Sequence, residues 1–195
     1  MDDKQPLNGL NQDPIDAELD KDDQRQESEI DIDEILRSLK SSSRRDERII
    51  AFFIVYAADR FDYTVGIDDI VEQFRAGFDV DILSESFVLT LARGVIEARS
   101  DLDEQIKPYL KNWKLERLGC CTRLILRMSL WELRQQDAIP SIIINEAVEL
   151  AKTFAEKDAY KFINGILDEI GKAMGLTTAV ASELDKQEKD NENPK

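Results

Sequence analysis

Two clusters of side chains in this sequence have the chemistry to hold a polyanion. Arg44, Arg45 and Arg48 crowd the start of an apolar run, and Lys152, Lys157, Tyr160 and Lys161 crowd one short span near the C-terminal end. Guanidinium and ammonium groups neutralise phosphates, and an aromatic ring offers a face on which an unpaired base stacks. Cations beside a ring therefore suit single-stranded RNA. The same lysines read equally as a solvated set with Tyr160 half buried. At the arginine cluster, cations beside the positive end of a helix dipole are unfavourable by about 0.3–1 kcal/mol each, which invites a phosphate as their counter-charge. Asp46 and Glu47 dilute that cluster.

Bond-making chemistry finds no such support. The chain has no histidine, which removes the commonest general base, the usual zinc ligand and every Ser–His or Cys–His nucleophile. Cys120 and Cys121 are adjacent and lie in an apolar helical run, where neighbouring thiols act as small core hydrophobes and point to a reducing compartment. Asp68/Asp69 and Asp101/Asp103/Glu104 sit where helices start and read as solvated faces. No phosphate-cradling glycine loop, nucleophile elbow or zinc spacing occurs. The expectation is a non-enzyme without cofactor or metal.

The elements that must position these residues are helices. Ile144, Ala147, Val148, Ala151 and Phe154 recur at the helical period, with Asn145, Glu149 and Lys152 on another face. Asp158 is placed to cap a following helix whose apolar stripe is Phe162, Ile163, Ile166, Leu167 and Ile170. A helix over 45–61 is almost wholly apolar from Ile49 to Ala58 and must be enclosed on several sides. Further helices are predicted over 66–76, short and ended by Gly77, over 81–99, longer and with Gly94 at a close helix crossing, and over 101–110. A central helix over 115–134 carries two apolar stripes and a narrow strip of Arg123, Arg127 and Arg134, which reads as ion pairs or as a binding strip. Pro140 suits the first turn of the next helix. The fold class is all-α.

The 195 residues suit one core, flanked by polar tails. Of the net charge of −15, residues 1–40 contribute −8 and residues 176–195 contribute −2, so the body is only mildly acidic. Residues 1–43 read as a disordered acidic extension containing one amphipathic run, Ile30–Leu39, with Ser41–Ser43 as a hinge. Residues 44–175 read as the helical domain and 176–195 as a disordered tail. No segment has the ~18 apolar residues of a membrane span, and the start lacks a signal-peptide layout, so a cytoplasmic, membrane-free protein is expected.

INEAVELAK from Ile144, followed by KFINGILD from Lys161, resembles the C-terminal signature of the NusB family of bacterial transcription antitermination factors. LILRMSLWEL at Leu124–Leu133 and RIIAFFIVY at Arg48–Tyr56 extend the likeness over roughly residues 44–175. The resemblance implies a bundle of about seven helices in two roughly perpendicular subdomains. It implies binding of boxA-type leader RNA of ribosomal RNA operons together with the NusE-like small-subunit ribosomal protein, helping RNA polymerase pass terminators. RNA contact is implied at Arg44, Arg45 and Arg48, and at Asp158, Lys161 and Phe162. Asn145, Glu146, Asn164 and Gly165 take structural roles of capping, polar bridging and close packing. Glu116 and Arg123 on or near the central helix would meet the protein partner. The acidic extension departs from the family, and a helical protein-interaction adaptor with little RNA binding is the rival reading.

Overall fold

The structure, a computed structural model, describes Ile35 and residues 43–78, 82–111, 113–135 and 139–176. Six α-helices and no strand occur among the described stretches from residue 43 onward: α1 (Arg44–Arg60), α2 (Ile67–Phe78), α3 (Phe87–Ile106), α4 (Cys120–Leu133), α5 (Pro140–Phe154) and α6 (Ala159–Ala173). Two short 3-10 turns, Lys107–Tyr109 and Leu115–Arg117, lie between α3 and α4.

The all-round apolar stretch of α1 is enclosed as its sequence demands. Ile50, Ala51, Phe52, Ile54 and Val55 are buried, each large side chain contributing about 1.5–3 kcal/mol by leaving water. Phe154 of α5 stacks on Phe52 at 5.1 Å and meets Phe53 edge-on at 5.3 Å, which ties α1 to the C-terminal helix pair. Helix α4 packs against α1, α3, α5 and α6. Leu124, Ile125, Leu126, Met128, Leu130 and Leu133 fill the space on both its sides, so it joins the two halves of the bundle. Gly94 of α3 lies directly against the Trp131 ring, where any Cβ would collide, and this is the close crossing its sequence position suggested.

Several helix boundaries differ from those the sequence suggests. Helix α2 continues through Gly77 to Phe78, because Phe74 and Phe78 pack one turn apart at 5.1 Å. Asp81 lies outside the described residues, and α3 starts only at Phe87, where the Ser86 hydroxyl accepts from the Leu89 N–H. No break separates 81–99 from 101–110. Leu102 and Ile106 keep the apolar stripe of one helix to Ile106, and Pro108 falls in the 3-10 turn. The central helix begins at Cys120 rather than Leu115, since Leu118 is extended and Gly119 takes the N-cap. Gly119 has no side chain with which to cap. The Glu156 carboxylate from the turn after α5 occupies the space a Cβ would need and accepts from the Thr122 hydroxyl at 2.6 Å.

At the ends of the body, Ser43 is a helix cap rather than a hinge, its hydroxyl accepting from the Asp46 N–H at 3.1 Å. Ile35, from the amphipathic run of the extension, is helical and half-buried against the core. Leu176, the first residue of the expected C-terminal tail, is half-buried and donates its N–H to the Gly171 carbonyl. The rest of the two proposed tails lies outside the described residues.

Candidate nucleic-acid interface

The two cationic clusters meet on one surface, although more than a hundred residues separate them in sequence. Arg45, in the first turn of α1, grips Glu146 of α5 through two guanidinium nitrogens, at 2.8 Å for the nearer. One turn along α5, Glu149 pairs with Lys152 at 2.7 Å and also feels the Arg45 charge; the Lys152 hydrogen bond comes first among the causes that hold its carboxyl below the usual range. The Lys152 ammonium lies over the Tyr160 ring at 5.7 Å, and Lys161 lies over the same ring at 5.6 Å. A continuous line of cations with a ring at its centre therefore runs from α1 across α5 to the first turn of α6. Lys161 and Arg44 expose about two thirds of their side chains, and Arg45 about half.

Most of these cations already have a carboxylate. Arg44 pairs with Glu47 at 2.9 Å and Lys161 with Asp158 at 2.7 Å. The Asp158 hydrogen bond pushes the Lys161 ammonium up, and the reciprocal bond holds Asp158 down. Exposed pairs of this kind are worth roughly 0–1 kcal/mol, so a phosphate can replace the carboxylate at small cost. The same neutralisation makes the surface a weak polyanion binder by itself.

Three of the predicted site residues take other roles. Arg48 is buried, and its guanidinium makes a bidentate pair with Glu132 of α4 at 2.8–3.0 Å, turned away from the cationic line. Asp158 stands at the N-cap position with a left-handed φ of 64°, and its carboxylate goes to Lys161 instead of capping α6. Arg123 bends inward to Asp59 at 3.3 Å, in a buried network that also holds Tyr63, Cys120, Arg127 and Asp103. Arg127 is likewise committed to Asp103, whereas Arg134, at the C-cap of α4, makes an exposed pair with Asp101 at 2.7 Å. Glu116 is exposed on its 3-10 turn, separate in role from Arg123.

In the buried network, burial pushes Asp59 up, but bonds from Tyr63 and Cys120 and the charges of Arg123 and Arg127 outweigh it and hold its carboxyl below the usual range. Burial, then the Asp59 bond, pushes the Tyr63 hydroxyl up to about 12 and the Cys120 thiol up to about 11. A thiol held protonated at neutral pH is a poor nucleophile, in keeping with a packing role. No group of three potential metal ligands occurs among the described residues, and no helix there is long and apolar enough to cross a membrane.

Glu146 pairs with Arg45 across α1 and α5, and Asn145, Asn164 and Gly165 are exposed. A Cβ on Gly165 would meet nothing within 4 Å, so close packing within the chain does not require this glycine. Sequence reasoning also passed over Trp113. This exposed ring touches the edge of half-buried Phe162, with centroids 6.4 Å apart. A tryptophan among Lys111, Lys114 and Arg117 was the available signal.

Six helices among the described residues, with a line of cations around a ring on their surface, make this an all-α body with a surface suited to a polyanion. Residues 45–172 match the NusB family model, and the chain belongs to the NusB family. The transcription antitermination protein NusB of Macrococcus caseolyticus is 38% identical over 130 residues, covering 67% of this chain and 97% of that one. The Staphylococcus haemolyticus protein of the same name is 41% identical over 128 residues, covering 66% and 98%. Among solved structures, Thermotoga maritima NusB is 31% identical with a TM-score of 0.59, covering 67% of this chain and 92% of that one. NusB and NusE in complex with double-stranded RNA provide a chain that is 23% identical, with a TM-score of 0.57 and coverage of 67% and 96%, which establishes likeness of fold.

Proposed function

We propose that this protein is an antitermination factor that binds boxA-type leader RNA of ribosomal RNA operons jointly with a NusE-like small-subunit ribosomal protein. In that complex it helps RNA polymerase to pass terminators. The observation that carries the proposal is the surface line Arg45, Lys152, Tyr160, Lys161, with Arg44 exposed beside it in sequence, within a body of the NusB family. Lys157 and Phe162 extend it, and Asp158 acts as the carboxylate that RNA displaces from Lys161. Arg48 supports this surface from behind through Glu132. On the partner side, exposed Glu116 is the better candidate, because Arg123 is committed to Asp59. The NusB–NusE–RNA complex of the structural neighbour supports joint binding as the mode of action.

Because carboxylates balance the cations, the isolated protein binds RNA weakly and the partner supplies the remaining contacts. Filter binding of a boxA-type RNA, by the protein alone and with the NusE-like protein, tests this across a salt series. The expected result is affinity only in the joint complex, falling steeply with salt as phosphate contacts require. Tight binding by the isolated protein, unchanged in the Arg44→Ala/Arg45→Ala variant, refutes it. Loss of partner capture on removing residues 1–40, with no RNA bound by either form, would favour the adaptor reading.

A further inference from the structure

The geometry points to Trp113 as a second stacking platform, on which an unpaired base of single-stranded RNA rests after crossing the start of α6. The inference deepens the RNA-binding reading and depends on it. Phe162 and Tyr160 lie on opposite flanks of α6, two positions apart on a helix that turns about 100° per residue. Tyr160 faces Lys152, and Phe162 faces Trp113. RNA following the cations to Lys161 therefore meets the Trp113–Phe162 pair when it passes over the first turn of α6.

Three observations suit this site to a nucleotide. Trp113 is 59% exposed, although an indole is among the side chains with most to gain from burial. Its N–H donates to the Leu110 carbonyl at 2.6 Å, and Lys111 takes a left-handed φ of 36°. A non-glycine residue in that region stores strain, and strained residues cluster at functional sites. The surrounding charge is also less balanced than on the other flank. Lys114 and Arg117 are exposed and make no ion pair among the described residues, while Lys111 pairs with Glu169 at 2.8 Å. An open ring followed in sequence by two cations without an ion pair fits a base with its phosphates better than it fits an apolar peptide, which would leave those charges without counter-ions.

The test uses the full chain with its NusE-like partner and a short uridine-rich single-stranded RNA. Trp113→Leu and Trp113→Tyr are both surface changes whose folding circular dichroism verifies. Trp113→Leu is expected to weaken binding about five- to a hundredfold, with Trp113→Tyr retaining most of the affinity. The salt slope stays the same in both, because stacking releases no counter-ions, whereas Lys114→Ala/Arg117→Ala lowers it. Bound RNA quenches tryptophan fluorescence in the wild type, and the quench is lost in Trp113→Tyr. If wild type binds this RNA and Trp113→Leu binds it equally well, the platform is refuted while the RNA-binding reading stands. If Trp113→Leu instead weakens capture of the protein partner without RNA, the surface belongs to that partner and the platform is overturned. Absence of RNA binding by the wild-type complex overturns both.

Discussion

The burial of Arg48 against Glu132 has a measurable consequence. Its guanidinium and the Glu132 carboxylate are about nine-tenths buried and share three hydrogen bonds of 2.8–3.0 Å. Removing one partner leaves the other charge buried without compensation, at a cost of about 3–5 kcal/mol. For a body of this size each kcal/mol moves the thermal midpoint by about 3–5 °C, so Glu132→Ala should melt roughly 10–20 °C below wild type. Replacing both with apolar residues of similar volume removes the desolvation penalty along with the pair. Arg48→Met/Glu132→Leu should therefore recover most of the loss. Thermal and urea unfolding followed by circular dichroism measure both variants, and the RNA affinity of the folded double variant should match wild type. A Glu132→Ala protein that melts like wild type would refute the reasoning, as would a stable double variant that has lost RNA binding.

Other consequences concern packing, pH and charge. Gly94→Ala gains about 1 kcal/mol in helix propensity, but its Cβ meets the Trp131 ring, and overpacking of about 1–3 kcal/mol makes the variant less stable. Adding Trp131→Phe should relieve that loss, and a Gly94→Ala protein more stable than wild type would contradict the crossing. Cys120 and Tyr63 have folded-state pKa values raised to about 11 and about 12, so the stability linked to their neutral forms is full below about pH 9 and is lost as pH rises toward 12. The Cys120→Ala/Tyr63→Phe variant should show a shallower alkaline loss in urea unfolding, and superimposable profiles would rule the linkage out. Arg45→Ala and Lys161→Ala should each reduce the slope of log affinity against log salt by about 1 in the joint complex, and an unchanged slope would remove that residue from the phosphate contacts.

The helical class, the enclosed face of α1, the double-sided α4 and the pairing of α5 with α6 could all be read from apolar periodicity. Burial imposes that pattern on any sequence that forms these helices. Boundaries set by a single residue were less visible. The hydroxyl of Ser86 and the missing side chain of Gly119 fix where α3 and α4 begin, against apolar patterns that run past both points. The choice between ion pair and binding site could not be read from residue type at all. Arg45 and Arg48 are three positions apart on α1, yet one lies on the surface with Glu146 and the other lies inside with Glu132. Gly94 and Gly165 are both glycines within helices, but only Gly94 has a ring pressed against it.

The sequence by itself determined that this chain folds as helices, lacks the histidine chemistry of common catalysts and carries the NusB signature, because periodicity and composition are properties of the chain alone. Only the tertiary structure decided which cations remain on the surface, that Arg45, Lys152 and Lys161 form one line with Tyr160, and that Trp113 stands beside Phe162. The physical reason is that a charge or a ring acts through its spatial neighbours, and for Arg45 and Trp113 those neighbours, Glu146 and Phe162, lie dozens of residues away in sequence.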